Sequence, residues 1–266
     1  MANYYRNDPG LYFLKNLNEE HMKTLVELLD GRWTEEITVT EEYKNWKSSW
    51  KSWKDSSPDL WKVVAAEIQY FGGNTLANIF RGSGVLYKEI LCDVCDSMKV
   101  NYNKNSSIER IEEQLLCKVF TDTVEKMQKD PEKKGELEKL LKESGLSTKE
   151  ILKNSAATGG VGGVVLFQAI MSLGGIHAYY VLNAIIHAVA WQALGHGLKW
   201  GATAPVMHWV SVFAGPVGWA ISSALTVALV ATPAMRVTIP VTITLACMRR
   251  LQNLKSDDSD DDKACV

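Results

Sequence analysis

From Asn154 to Met248 the chain runs for 95 residues with only two fixed charges, Lys199 and Arg236. No Asp or Glu occurs between Glu150 and Asp257. The first 153 residues, by contrast, carry 23 Lys+Arg and 26 Asp+Glu. A helix without a charged face has nothing to offer water along its length, so such a stretch must be covered by protein or by lipid. The segregation predicts an all-α chain in three parts. A charged N-terminal helical domain occupies 1–153, and an apolar, Gly-rich helical region, a candidate for membrane insertion, occupies 154–250. An acidic tail, expected to be disordered, occupies 251–266.

Within the apolar region, Gly160 to Leu198 is an uncharged run of 39 residues. It suffices for one helix of about 20 residues crossing a bilayer, or for two shorter buried helices broken at Gly174-Gly175. Val206 to Val230 gives 25 more uncharged residues, about 37 Å if helical. Gly215-Pro216-Val217-Gly218 lies inside that run and is expected to bend or break it. The last apolar piece, Val237 to Met248, is short and β-branched, contains Pro240, and is closed by Arg249-Arg250. Gly159 with Gly163, and Gly197 with Gly201, have the spacing that lets helices approach closely.

Trp191, Trp200, Trp209 and Trp219 flank the segment around Lys199. Indoles gather at membrane–water boundaries, which makes these four candidate membrane contacts. Packing in an ordinary core accounts for them equally well. His177, His187, His196 and His208 lie in the same region without metal-ligand spacing. Together they form a candidate pH sensor, since protonation near about pH 6 would charge an otherwise neutral segment.

The charged part reads as a series of short helices. Asp8-Pro9-Gly10 marks a turn or helix start. Asn18 precedes Glu19-Glu20 and Leu25, Leu28 and Leu29, the pattern of an N-capped amphipathic helix ending near Gly31. Ile37 to Thr40 is a short strand-like run. In residues 41–54, Trp46, Trp50 and Trp53 share one helical face amid Lys44, Lys47, Lys51 and Lys54. That suits either an interfacial helix on anionic lipid or a stripe docked on its own domain. Helices are expected from Pro58 to Phe71, from about Asn74 through Leu76, Ile79 and Phe80, and from Val85 to Met98, with Gly72-Gly73 and Arg81-Gly82-Ser83-Gly84 as joints. A longer one follows from Ser106, where Ser106 and Glu109 match a capping box. Residues 132–144 alternate in sign like a solvated helix.

Composition excludes several classes. A net charge of −2, with no basic stripe, does not describe a nucleic-acid partner. Five Cys, an odd number without framework spacing, fit free thiols in a reducing compartment. The polar N-terminus MANYYRNDPG has no secretory character, so cytoplasmic synthesis followed by membrane association is expected. Cys92-Asp93-Val94-Cys95 lies within a helical pattern and has no second pair to complete a zinc site. No G-x-S-x-G or H-E-x-x-H occurs, and the sequence identifies no catalytic residue, metal or cofactor.

Glu67-Ile68-Gln69, Phe71-Gly72-Gly73, Ala77-Asn78, Arg81-Gly82, Gly84, Leu86-Tyr87, Ile90-Leu91 and Asp93-Val94 resemble the central motif of the bacterial YaaW family. Glu113-Gln114-Leu115-Leu116, Gly215-Pro216-Val217-Gly218, Arg236 to Pro240, Ala246-Cys247 and Arg249-Arg250 are similar too. The family has no assigned activity, so the resemblance implies a fold relative and no reaction. A fainter likeness is to ubiquinol–cytochrome c chaperones, helical assembly factors. The matched polar residues Glu67, Gln69, Asn78, Arg81, Tyr87 and Asp93 form a motif of unassigned role. A buried network that locks helices is one reading and a binding or catalytic cluster another.

Taken together, these features point to a non-enzymatic, membrane-associating helical protein, with insertion or pore formation as the sharper form. Its expected partners are a lipid membrane and further copies of itself. The alternative is a soluble or oligomeric interaction protein resembling a chaperone or assembly factor.

Overall fold

Asp8, directly before Pro9 and Gly10, starts the first ordered element. The computed structural model describes residues 5–30, 60–72, 84–143, 162–173, 175–198, 200–228 and 235–261. Asp8 caps a 3-10 helix over Pro9–Asn16 by accepting from the Gly10 N–H. Pro9 sits where its missing N–H costs nothing. Asn18 then caps α1, Glu19–Leu29, accepting from the His21 N–H at 2.8 Å. Helices α2 (Leu60–Gly72), α3 (Tyr87–Ser97), α4 (Ile108–Lys129) and α5 (Pro131–Glu143) follow. Helices α6 (Gly162–Leu173), α7 (Gly175–Leu194), α8 (Ala204–Ala228) and α9 (Met235–Asp261) complete the described set. Every regular element among the described residues is helical, so the chain is all-α.

The compact units do not follow the two halves of the sequence. One unit comprises Met1–Glu112 with Ala193–Gly195 and Ala224–Thr244. The other comprises Glu113–Gln192, His196–Ser223 and Leu245–Val266. Each therefore mixes charged and uncharged sequence, because apolar helices need amphipathic ones to cover them.

In the first unit the 3-10 helix, α1 and α3 pack around α2. Leu11, Leu14, Leu25, Leu29, Val64, Ile90 and Leu91 are fully buried there. The Thr238 hydroxyl donates to the Phe71 carbonyl at 3.3 Å, tying α9 to α2. In the second unit an aromatic column forms the centre. Trp209 stacks on Phe213 at 5.6 Å, Phe213 on Phe120 at 5.6 Å, and Phe120 meets Phe167 at 5.5 Å. The column joins α8, α4 and α6. Helices α6 and α4 cross closely at Gly163, where an added Cβ would lie 2.8 Å from the Thr121 Cα.

The uncharged run of 39 residues resolves into two helices, α6 and α7, parted beside Gly175, whose φ of +51° suits glycine. Ten successive residues of α7, Val181 to Ala190, are buried, so this helix is covered on every face. Among the described residues no helix is long and apolar enough to cross a membrane. The structure thus takes the two-helix alternative for this run.

Six expectations need correction. Pro216 does not end its helix: α8 runs through it, and Pro216, Val217 and Gly218 are buried. Packing offsets the one lost backbone bond. The short piece holding Pro240 is the start of a 27-residue helix, α9, which continues past Arg249-Arg250 to Asp261. The acidic stretch expected to be disordered from 251 is helical that far. At the start of α4 the cap is Ser107, whose hydroxyl accepts from the Arg110 N–H at 3.3 Å. Ser106 is held instead in a turn through the Asn103 carbonyl at 3.0 Å. Helix α5 is not polar all round, since Leu137, Leu140 and Leu141 are buried. Finally, Gly197 and Gly201 lie in the turn after α7 and are not part of a helix. The strand-like run at 37–40, the Trp/Lys segment at 41–54 and the helix expected from about Asn74 lie outside the described residues.

Glycine substitutions read this packing with opposite signs. Gly163→Ala drives a methyl into the α4 backbone and should destabilise by about 1–3 kcal/mol. Gly135, inside α5, has nothing within 4 Å of an added Cβ. Gly135→Ala should stabilise by roughly 0.5–1 kcal/mol through helix propensity. Urea denaturation of the two variants checks both signs.

Candidate functional site

Gln69 is fully buried on α2, and its amide is spent on the N-terminal segment. Its Oε1 accepts from the Arg6 N–H at 3.0 Å, and its Nε2 donates to the Arg6 carbonyl at 2.8 Å. This reproduces the paired bonds of a strand neighbour with one side chain. Nε2 also reaches Asp8 Oδ2 at 3.3 Å. Asp8 is buried. Its Oδ2 accepts from the Tyr87 N–H at 2.6 Å and its Oδ1 from the Gly10 N–H at 2.9 Å. The carboxylate therefore caps two helices at once, the 3-10 helix and α3. Buried carboxylates are stable when donors surround them in this way.

The network continues from Tyr87, whose phenol is fully buried and donates to Glu112 Oε1 at 2.6 Å. Glu112 lies one turn into α4 and is itself buried. Gly84 closes the other side. Val85 N–H donates to the Gln69 carbonyl at 3.1 Å, and the Arg6 guanidinium reaches the Gly84 carbonyl at 3.4 Å. A Cβ on Gly84 would lie 2.6 Å from the Gln69 Cβ and 3.0 Å from its backbone carbon. Only glycine fits there. Gln69, Gly84 and Tyr87 of the motif thus meet in one polar lock, with Glu67 also buried on α2.

Not all of the motif joins the lock. Asp93 is exposed on α3. Partial desolvation, then repulsion from Asp96 and Glu89, raises its carboxyl above the usual range. Tyr87 and Asp93 are six residues apart and point to different faces of α3, so they do not share one catalytic centre. Asn78 and Arg81 lie outside the described residues. The lock's two carboxylates, Asp8 and Glu112, escaped the sequence reading. Glu112 had a legible signal, standing at an inward position among Ile108, Ile111, Leu115 and Leu116.

The CxxC is split by burial. Cys95 is fully buried, and Cys92 is half-buried. Burial first, then nearby Cys92, Asp96 and Glu112, pushes the Cys95 thiol up to about 12. A reactive pair needs the opposite shift. No group of three His, Cys, Asp or Glu side chains among the described residues is placed to hold a metal.

The tryptophans and histidines of the apolar region occupy unlike surroundings. Trp191 is 59% exposed, whereas Trp209 is 2% exposed. Trp209 is therefore a core residue of the aromatic column. Trp200 is half-buried against the His187 ring, with centroids 5.8 Å apart. Trp219 lies on α8, with its side chain outside the described ones, as are Trp46, Trp50 and Trp53 entirely. His187 is buried, and burial lowers its pKa despite a hydrogen bond with the Trp200 backbone that favours the charged form. His177 is half-buried near the start of α7. His196 is exposed, with Nδ1 3.2 Å from the Gly197 carbonyl. His208 is exposed, 3.2 Å from the Glu143 carboxylate.

Comparison with known proteins places this chain among relatives without a stated activity. It is 34% identical over 97% of its length to a UPF0174 protein of Helicobacter pylori strain J99, covering 96% of that protein. It is 36% identical over 81% of its length to a UPF0174 protein of Helicobacter pylori strain 26695, covering 96% of it. It is 30% identical over 93% of its length to the UPF0174 protein YaaW of Escherichia coli K12, again covering 96%. No family model matches the chain, and no solved structure does.

Three outcomes follow from this geometry. Tyr87→Phe removes a buried bond to a carboxylate and should cost about 1.5–3 kcal/mol by denaturant titration. In native protein at pH 8, iodoacetamide should modify Cys92 while leaving Cys95 intact until unfolding, as peptide mapping would show. For His187 the folded pKa lies below the unfolded value, so the unfolded state takes up the proton first as pH falls. Its stabilising contribution is whole above about pH 6.5 and is lost as pH drops through the folded value. The Tm advantage of the wild type over His187→Gln should therefore shrink between pH 7.5 and pH 5.

Proposed function

The chain belongs to the UPF0174 family, and on that premise we propose that it is a non-enzymatic helical protein that docks on membrane surfaces through the turn between α7 and α8. One observation carries the reading. Trp191 is 59% exposed and Met207 is 42% exposed, and they flank this turn on either side. Between them, Gly195, His196, Gly197, Ala202, Thr203, Ala204 and Pro205 are exposed as well. From Trp191 to Met207 the sequence holds one charge, Lys199. An exposed indole and thioether on uncharged backbone suit the headgroup boundary, where an amphipathic ring has one apolar and one wet side.

The proposal stays at the surface. Insertion or pore formation is its extension. Self-association on the membrane belongs to the same reading, with each copy presenting one turn to lipid. The runner-up is a soluble or oligomeric interaction protein. It is favoured by the ten buried residues Val181 to Ala190, since α7 then already has protein around it.

Vesicle flotation at pH 5 and pH 7, with neutral and anionic lipid, separates these readings. The full chain should float with vesicles. Trp191→Ser and Met207→Ser should each lower partitioning by about five- to thirtyfold, because each loses roughly 1–2 kcal/mol of apolar burial. Release of an entrapped dye would extend the role to insertion. Failure to bind any vesicle at either pH, with a discrete oligomer in detergent-free buffer, would replace the membrane role with the interaction protein.

A further inference from the structure

Asn183 and His187 stand one turn apart on the buried face of α7, at 0% and 3% exposure. Asn183 Nδ2 donates to the Tyr179 carbonyl at 2.8 Å. That bond settles which way the amide points and turns Oδ1 the other way. Asn183 Oδ1 is buried and has no hydrogen-bond partner. His187 Nε2 is likewise buried without one. Since the His187 ring bonds the Trp200 backbone, Nδ1 is the nitrogen engaged and carries the proton. Nε2 is then a bare acceptor.

Both acceptors lie near Gly201. A Cβ added to Gly201 would lie 3.4 Å from Asn183 Oδ1 and 3.8 Å from His187 Nε2. Gly201, at φ +65°, places no side chain there, which leaves a gap beside both acceptors. Two buried acceptors beside one gap with no donor cost free energy unless something supplies two hydrogens.

We propose that Asn183 Oδ1, His187 Nε2 and the backbone at Gly201 form a binding site for a small neutral group bearing two N–H or O–H hydrogens. The chemistry excludes other occupants. An anion would meet two lone pairs. A bare cation would sit among Asn183, His187 and Trp200, none of which supplies a negative charge to offset its desolvation. Two sources fit, a single trapped water and the NH2 tip of a primary amide. Burial holds His187 in its neutral form, which keeps Nε2 an acceptor at neutral pH. Ala202 and Thr203, next along the chain from Gly201, are exposed.

Side-chain 15N NMR of the full chain tests this, with the His187 signals assigned by their loss in His187→Gln. In plain buffer, His187 should show the Nδ1-protonated tautomer with Nε2 accepting a hydrogen bond. Acetamide should shift Nε2 and the Asn183 amide saturably, while N,N-dimethylacetamide, which has no N–H, should leave them unchanged. A hydrogen-bonded Nε2 that contacts water and ignores acetamide assigns the site to water. Gly201→Ala fills the gap and should abolish the acetamide response or the water contact. Should that variant not fold, Asn183→Ala removes one acceptor and should weaken the response severalfold. A proton on Nε2, or an Nε2 lone pair without a hydrogen bond in both buffer and acetamide, would overturn the proposal.

Discussion

Helix α7 sets the terms for the rest of its unit. Ten of its successive residues, Val181 to Ala190, are shut away from water. A helix buried on its whole circumference needs neighbours on all sides, and it excludes charge from its own length. Its polar groups must then find partners locally, as Asn183 does with the Tyr179 carbonyl and His187 with the Trp200 backbone. The amphipathic α4 contributes Phe120, α6 contributes Phe167 and α8 contributes Phe213 and Trp209 to the column that fills this unit. The charge-poor stretch is therefore a core-forming element as well as the source of a turn that holds a single charge, Lys199.

The other unit depends on a different interaction, the dehydration of a carboxylate. Asp8 gathers donors from Gly10, Gln69 and Tyr87. Gln69 holds the Arg6 backbone from both sides. A half-satisfied network of this kind would cost more than an apolar core, so each member depends on the others. This accounts for the residue types in the central motif: an amide that can donate and accept, a glycine that lets it approach, and a tyrosine that reaches Glu112. Gln69, Gly84 and Tyr87 thereby hold the N-terminal segment, α2 and α3 together.

Much of the architecture was legible in local pattern. The Asn18 cap, the helix over Leu60–Gly72 and the helix over Tyr87–Ser97 follow from caps and apolar spacing. Resemblance in motif agreed with relatives matched over nearly the whole chain. Pro216 and Pro240 misled because a proline's cost is local and small beside the burial of a long helix. Trp209 could not be placed from sequence, because an indole at a membrane boundary and an indole in a core have the same sequence signature. The lock and the Asn183–His187 gap could not be read in advance. The lock joins residues 60 to 80 positions apart, and the gap depends on where the chain turns back at Gly201.

By itself, the sequence determined that this chain is helical and that its charge-poor stretch must be hidden. Both follow from periodicity and from the cost of leaving uncharged helices in water, which are properties of neighbours in the chain. Only the tertiary structure decided what does the hiding, which tryptophan stays exposed, and which buried polar atoms meet. Those outcomes depend on side chains brought together from distant positions, where burial and hydrogen-bond geometry decide and spacing along the chain does not.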